Sequence, residues 1–246
     1  MLYFLLAIAT FATSFISGVL SMAGGMILMG VFGFFLSVPA AMVLHGIAQA
    51  VSNGSRVWLH RNHLRWNVLI PYSAGSFLIL AAFVMFTFVP NKGLLFLLIG
   101  SFPFITLLLP KSIDLDMQRK PIAFLSGLVV TTAQMLAGAS GPVLDIFYVK
   151  SSLTRHEILG TKAITQTLGH IIKLVYYAFF LSLSTELPLW IFPAVILAAI
   201  LGNNLAALVI EKMNDESFKR IGRYTIVVVG TVYIGKGLYE LHLFNS

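Results

Sequence analysis

Two stretches of the chain carry polar side chains at the same helical spacing, within segments that are otherwise apolar. Steps of four, four and three residues separate the members of each stripe, which places them on one face of an α-helix. A constant offset of 117 residues relates the two stripes, as from Gln49 to Gln166, and this indicates an internal duplication. The members are His45, Gln49, Asn53 and Arg56 in the first half, and Lys162, Gln166, His170 and Lys173 in the second.

Amides and cations in such a stripe can bind an anion through hydrogen bonds and electrostatic attraction. They are costly inside a bilayer unless they face one another across a water-accessible cavity. We expect Gln49 and Gln166 to meet near the membrane midplane and to hydrogen-bond a small anion, an arrangement in which the flanking cations make the path electropositive. The alternative is that the amides only join neighbouring helices. The predicted binding residues of the stripes are Gln49, Asn53, Gln166 and His170, and the predicted path residues are His45, Arg56, Lys162 and Lys173.

The composition is that of an integral membrane protein. Of 246 residues, 58% are hydrophobic and only 10% are charged, whereas soluble domains carry about 25% charged residues. The mean hydropathy is +0.92. Several apolar runs are near the roughly 20 residues that span a bilayer as a helix, and they do not alternate as barrel strands would. The predicted fold class is therefore an all-α polytopic bundle.

Breaks in the apolar pattern divide the chain into ten elements, five in each half. An odd number of elements per half implies that the second half is inserted upside down. We therefore predict a first membrane repeat over residues 1–110, a cytoplasmic connector over 111–120 and a second, inverted repeat over 121–246. The predicted elements are 2–20, 26–36, 39–60, 66–89, 93–109, 121–136, 142–149, 155–181, 188–210 and 218–241.

The loop charges bear on the orientation. If the loop after His60 is cytoplasmic, the outside loops carry Lys92 as their only cation, and the positive-inside rule supports inversion, with both chain ends outside. The net charge of +7 is then explained by cations in the cytoplasmic loops and does not indicate a nucleic-acid partner. The inside cations are Arg61, Arg65, Lys111, Arg119, Lys120, Lys150, Arg155, Lys212, Lys219, Arg220 and Arg223.

Short elements with small residues before them occur at matching places in the two halves. Gly24 and Gly25 precede the first, and Ser140 and Gly141 precede the second, at an offset of 116 residues. A helix that begins inside the membrane has unpaired N–H groups and the positive end of its dipole at its start, which suits an anion. We expect these four residues to contribute to the binding site. The alternative is close helix packing.

Asp145 lies one turn after Gly141. A carboxylate in the membrane could carry a coupling proton, or it could be the structural partner of a cation such as Lys162 or Lys173. The first half has Met29 at the corresponding position. Asp145 is therefore not part of a site that the two halves share.

The sequence resembles the sulfite exporter TauE/SafE family of membrane anion transporters. The resemblance rests on residues 16–25, ISGVLSMAGG, followed by Pro39, and on residues 137–142, AGASGP, followed by the second polar helix. It implies an inner-membrane exporter of sulfite, sulfonates and related anions, which works as a secondary transporter by alternating access. The implied partners are the small anion and the lipid bilayer, and the resemblance is compatible with a homo-oligomer. We expect no cofactor and no metal.

Two other functions compete with this interpretation. An anion channel could use the same lining, although inverted repeats with broken helices favour a carrier. A rhomboid-like intramembrane protease is the enzyme alternative, because residues 138–141 match G-x-S-G, with Ser140 as nucleophile and His170 as base. The pairing of Gly24 with Ser140 argues against that enzyme. No P-loop is present, so we expect secondary or passive transport.

Overall fold

The computed structural model describes residues 1–20, 23–110, 113–148, 151–180, 187–210 and 215–245. Within these ranges the regular structure is helical, which confirms the predicted all-α class. A 3₁₀ turn, Arg61–His63, follows the third helix, and a π turn, Tyr176–Phe180, extends the eighth. The helices are α1 (Leu2–Leu20), α2 (Ala23–Phe35), α3 (Val38–Leu59), α4 (Trp66–Phe86), α5 (Lys92–Leu108), α6 (Lys120–Ala137), α7 (Gly141–Ile146), α8 (Arg155–Val175), α9 (Ile191–Ile210) and α10 (Asp215–Asn245).

The first short helix begins earlier than its sequence pattern indicates. Gly24 and Gly25 lie in the first turn of α2, not ahead of it. Their role there is close packing: a Cβ on Gly24 would lie 2.1 Å from the carbonyl oxygen of Thr13 in α1. Parts of the sequence predictions fall outside the described residues, namely Ser21 and Met22 of the family motif, the predicted element ends at 149 and 181, and the loop cations Lys111, Lys150 and Lys212.

Three described helices are long and apolar enough to cross a membrane, over Leu2–Val19, Trp66–Phe86 and Lys120–Ala137. The shorter helices α2, α5 and part of α9 are also apolar. Large hydrophobic side chains such as Phe4, Leu78 and Leu197 point outward and are more than half exposed. An apolar outer surface of this kind suits lipid rather than water. The chain is a multi-pass membrane protein.

Four helix pairs make the most extensive contacts: α1 with α9, α4 with α6, α5 with α10 and α3 with α8. Glycines let the backbones approach closely in these crossings. A Cβ on Gly202 of α9 would lie 2.5 Å from the carbonyl oxygen of Phe11 in α1. A Cβ on Gly127 of α6 would lie 2.1 Å from that of Tyr72 in α4. Larger residues at either glycine would force the helices apart.

The loop between α3 and α4 packs against the start of α8. The Arg65 backbone N–H donates to Thr161 Oγ1 (3.1 Å), and the Arg65 side chain pairs with Glu157. Thr154 and Glu157 form a capping box that begins α8. The hydrogen bond from the Thr154 backbone N–H (2.8 Å) holds the pKa of the Glu157 carboxyl below its ordinary value. These contacts place the end of α3 and the start of α8 at the same end of the bundle.

The connector between the halves lies at that end too. Gln118 Nε2 donates to Ser152 Oγ (2.5 Å), which lies just before α8. At the other end, the Tyr176 hydroxyl, just after α8, donates to the carbonyl oxygen of Phe88 in the loop between α4 and α5 (3.0 Å). The helices α3 and α8 are therefore antiparallel neighbours, and their middles face each other.

Candidate substrate site

A small, partly open cavity lies where α3 and α8 meet the first turns of α2 and α7. Polar groups dominate its wall, which is unusual for the middle of an apolar bundle. Of the eight residues predicted to bind the substrate, only Gly24 does not line it. The lining residues are Ser17, Gly25, Met26, Gln49, Asn53, Arg56, Ala139, Ser140, Gly141, Pro142, Gln166 and His170.

Gln49 contributes an amide N–H group without a partner to this wall. Its side chain is 2% exposed, and its Nε2 has no hydrogen-bond partner in the described structure. Asn53 Nδ2 donates to the carbonyl oxygen of Gln49 (2.9 Å) and, at 3.5 Å, to its Oε1. A Cβ on Gly25 would lie 3.2 Å from that Oε1, so glycine brings the α2 backbone against the amide. A buried, unpaired amide N–H is costly, and a ligand oxygen would satisfy it.

Arg56 brings a cation to the same wall. Its Nη2 donates to Asn53 Oδ1 (2.8 Å) and to Ser17 Oγ (3.4 Å), while its buried Nε has no partner in the described structure. No described carboxylate forms an ion pair with Arg56. The guanidinium is therefore held by neutral groups and leaves its charge available to an anion.

In the second half, the polar groups are bonded to one another through Gln134 of α6. Gln134 Nε2 donates to the carbonyl oxygen of Gly138 (3.1 Å), which fixes the amide orientation because a carbonyl can only accept. The Ser140 hydroxyl then donates to Gln134 Oε1 (2.6 Å). The same Nε2 lies 2.8 Å from His170 Nδ1, so Nδ1 accepts and the ring proton resides on Nε2.

This network bears on the protease alternative. A serine nucleophile needs a histidine that accepts its proton. Here the Ser140 proton goes to the oxygen of Gln134, and the His170 Nδ1 accepts from Gln134. The Ser–His hydrogen bond of a nucleophilic pair is absent from this described network.

Sequence reasoning missed Ser17 and Gln134. Ser17 lines the cavity and accepts from Arg56, and Gln134 organises the second half of the wall. Neither belongs to the polar stripes, because they lie on α1 and α6. They are nevertheless separated by 117 residues, the offset of the stripes. A search for polar residues at that offset in the first helix of each half would have found them.

Two predicted path residues lie behind the cavity wall and join the halves. His45 Nε2 donates to the carbonyl oxygen of Gly25 (2.7 Å), since a carbonyl cannot donate. Lys173 Nζ donates to His45 Nδ1 (2.8 Å) and to the carbonyl oxygen of Gly138 (2.8 Å). Both side chains are fully buried. The structure therefore places them in a bridge between α3 and α8 rather than on the lining.

Lys162 and Asp145 form an ion pair between α8 and α7, with side-chain exposures of 8% and 21%. Neither lines the cavity. Asp145 thus has as its partner one of the two cations that the sequence named for it. Lys162 corresponds by the stripe offset to His45, and each tethers its long polar helix to the short helix of its own half.

Comparison with known proteins identifies the family. The family model described as sulfite exporter TauE/SafE matches residues 5–233, which is nearly the whole chain. Comparison with curated proteins and with solved structures gives no match. The matched range contains every element that builds the cavity. The chain therefore belongs to the TauE/SafE sulfite exporter family, a family of membrane transporters.

Proposed function

We propose that the protein is a secondary transporter that exports small sulfur-containing anions, such as sulfite or sulfonates, through the cavity between α3 and α8. The observation that carries this proposal is the pairing of two open groups on one wall: the unpartnered Gln49 amide and the Arg56 guanidinium without a carboxylate. The family itself suggests a membrane exporter of sulfite or another anion.

The cavity wall has the groups that an oxyanion needs. Gln49 and Gln166 supply amide N–H groups from the two polar helices, and Arg56 supplies charge-assisted hydrogen bonds. The start of α2 adds the positive end of a helix dipole next to Gly25. Gln166 forms no hydrogen bond with a described residue, so its amide is free to turn toward a ligand.

Helix packing supports the inverted repeats. If residues 121–246 repeat residues 1–110 across the connector 111–120, α1 to α5 correspond to α6 to α10 in order. The α1–α9 pair then corresponds to the α6–α4 pair, and the α3–α8 and α5–α10 pairs each map onto themselves. These are the four most extensive helix pairs in the described structure. A cavity on such an axis suits alternating access, in which one bundle rocks against the other.

The end of the bundle that holds the connector supports the orientation. The α3–α4 loop, the connector and the start of α8 lie together there, through the contacts of Arg65 and Gln118. These segments carry most of the described loop cations, so we assign this end to the cytoplasm. Both chain ends then face outside, in the inner membrane of the cell.

The membrane potential can drive this export. An inside-negative potential pushes each negative charge outward by about 2.3 kcal/mol per 100 mV, so no coupled ion is required. Asp145, the candidate for proton coupling, is engaged by Lys162. We therefore expect Asp145→Asn to preserve export of a pre-loaded anion per folded, reconstituted protein, although the variant leaves Lys162 without its partner and should be less stable. Abolished export by protein that is still folded would contradict the uncoupled mechanism.

Efflux from proteoliposomes tests the proposal. Vesicles pre-loaded with sulfite, methanesulfonate or acetate are compared for wild type and for Gln49→Ala/Gln166→Ala. We expect saturable efflux that favours the sulfur oxyanions, and a loss of about thirtyfold in the double variant, since each hydrogen bond contributes about 1 kcal/mol. Flux that does not saturate would instead indicate a channel.

Asn203→Ala is the matched control. The Asn203 amide donates to the carbonyl oxygen of Ser52 (3.0 Å) and to Ser55 Oγ (3.1 Å) in a helix crossing, and it does not line the cavity. Its loss should leave efflux per reconstituted protein unchanged. If efflux is unchanged in the double variant, the two amides serve helix packing and not substrate binding. If wild type exports none of the tested anions, the transporter proposal is contradicted.

A further inference from the structure

Three histidines meet outside the cavity, where the α3–α4 loop packs on α8. The ring centroid of His156 lies 5.8 Å from that of His60 and 5.3 Å from that of His63, with interplanar angles of 39° and 30°. His60 is partly buried, and the other two are exposed, so protons from solution reach them. His60 and His63 belong to the first half of the chain, and His156 lies at the start of α8 in the second. This histidine cluster therefore joins the two halves at the end of the bundle that holds the connector.

Close packing holds the loop on α8 at this point. A Cβ on Gly160 would lie 3.0 Å from the carbonyl oxygen of His60, so glycine lets the loop backbone contact the helix. Arg65 fixes the other end of the loop by its backbone bond to Thr161 Oγ1 and its ion pair with Glu157. The imidazole rings are therefore held together by the fold around them, and a change in their charge acts on this contact between the halves.

Positive charge predominates around the cluster. Glu157 already pairs with Arg65 and forms the capping box of α8. Burial is the largest cause of the lowered pKa of His60, and the other two histidines and Arg56 lower it further. Each additional proton is therefore opposed by the neighbouring rings and arginines. The charged residues of the joined segments, 56–65 and 155–161, are Arg56, Arg61, Arg65, Arg155 and Glu157.

The direction of the pH effect follows from these charges. Histidine ordinarily changes its charge between about pH 5 and 8. Because the pKa of His60 is lower in the packed loop than in a free one, the contact is fully stable above about pH 6.5 and loses stability as the pH falls below that value. Neutral imidazoles can pack against one another, whereas protonated ones repel each other. Acid therefore favours separation of the loop from α8.

We propose that the histidine cluster is a pH sensor, which holds the α3–α4 loop on α8 at neutral pH and releases it when the cytoplasm becomes acidic. Release reaches the cavity through α3. Arg56 lines the cavity one turn before His60, and its carbonyl oxygen accepts from the His60 backbone N–H (3.1 Å). Loss of the contact frees the end of α3 that positions Arg56, so export slows in acid. This effect on export rests on the proposed function, whereas release of the loop does not.

The distance between two spin labels measures release of the loop directly. The chain has no cysteine, so Asn62→Cys in the loop and Lys120→Cys at the start of α6, both at exposed positions, each take one label. We expect a narrow distance distribution at about pH 8 and a broader, longer one at about pH 5.5, with a midpoint near about pH 6. An unchanged distribution would overturn the inference.

Histidine variants of the labelled protein locate the sensor. The triple variant His60→Gln/His63→Gln/His156→Gln should show one distribution at both pH values, because no ring of the cluster is left to titrate. His242→Gln is the matched control, since it removes an exposed histidine of α10 outside the cluster, and it should keep the pH response. A response of the triple variant equal to that of the labelled parent would overturn the inference.

Efflux from proteoliposomes measures the regulation. Methanesulfonate is the probe, because a sulfonate stays ionised over this pH range. With equal pH on both faces, we expect wild-type efflux to fall roughly fivefold from about pH 8 to about pH 5.5. The triple variant should keep the higher rate throughout, and His156→Lys, which carries a fixed charge, should show the lower rate throughout.

The two measurements separate the possible failures. If the label distance changes with pH but wild-type efflux does not, the cluster does not regulate export, and that part of the inference is wrong. If wild type moves no anion at any pH, the proposed function fails, and the label distance still decides whether the cluster senses pH.

Discussion

The two polar helices occupy corresponding places in the chain but use their side chains differently. In the first half, Gln49 and Arg56 line the cavity, and each has a buried donor without a partner in the described structure. In the second half, Ser140 and His170 are both bonded to Gln134. In the described structure, Gln49 and Arg56 of the first half therefore each keep a donor without a partner, whereas Ser140 and His170 of the second half are bonded within the protein. The polar residues have the same spacing in the two halves, but they have different hydrogen-bond partners.

The cations show the same contrast. Arg56 and Lys173 correspond by the stripe offset, yet Arg56 lines the cavity while Lys173 is fully buried in the bridge to His45. Lys162 is neutralised by Asp145. Removing one partner of a buried ion pair destabilises a fold, whereas a cation that lines a cavity without a carboxylate partner can attract an anion. Substitutions at the two kinds of cation should separate these roles.

The largest effect is expected on stability, from Lys162→Met. The substitution leaves the largely buried Asp145 carboxylate without its partner, which costs about 3 kcal/mol of unfolding free energy. Unfolding of the purified protein in detergent measures this loss. The double variant Lys162→Met/Asp145→Asn should recover most of it, because no charge is then left unpaired. A single variant as stable as wild type would show that the pair is not structural.

Arg56→Gln should act on transport instead. It removes a cation from the cavity wall, and the loss of a charged hydrogen bond, about 2 kcal/mol, predicts a roughly thirtyfold fall in sulfite efflux. Unfolding in detergent should change little, since Arg56 has no carboxylate partner in the described structure. If this variant exports sulfite as fast as wild type, Arg56 does not belong to the site, and its proposed difference from Lys162 is wrong.

Gln49→Met should have a smaller effect on transport. It deletes one neutral donor, so about 1 kcal/mol of binding and a roughly fivefold rise in the half-saturating sulfite concentration are expected. The variant should be about as stable as wild type, because the lost Nε2 has no partner and Asn53 Nδ2 keeps its 2.9 Å hydrogen bond to the backbone carbonyl when the longer one to Gln49 Oε1 is lost. A marked loss of stability with unchanged transport would instead assign the amide to helix packing.

Ser140→Ala should have the smallest effect, less than twofold on efflux. The hydroxyl gives its proton to Gln134 and has none left for an anion. The same variant tests the protease alternative, in which this serine is essential. A loss of efflux as large as that of Gln49→Met would show that Ser140 turns from Gln134 toward the ligand.

Much of the architecture could be predicted from residue patterns. Apolar run lengths predicted the helical membrane class, and the family resemblance is confirmed by the match over residues 5–233. The period of each stripe predicted the face of its own helix on which Gln49 or Gln166 lies, and both residues line one cavity. Their role in binding an anion near the midplane stays a prediction. The start of α2 was predicted too late, because Gly24 serves close packing against α1 and does not break the helix.

Residue patterns could not predict the hydrogen-bond partners of the site residues. Gln134 lies 36 residues from His170 and on another helix, so nothing local indicates that it sets the proton position of that ring. Ser17 reaches Arg56 across 39 residues in the same way. Contacts of this kind depend on how α1, α3, α6 and α8 are packed, and a periodic pattern reports only the face on which a residue lies.

The sequence by itself determined that this chain forms apolar helices with two polar faces of equal residue spacing, because run length and helical period are local properties. Its membership in a transporter family also follows from sequence alone. Only the tertiary structure decided which polar groups are satisfied and which remain open. That outcome depends on distances between helices, which place Asp145 on Lys162 and leave Gln49 and Arg56 facing the cavity.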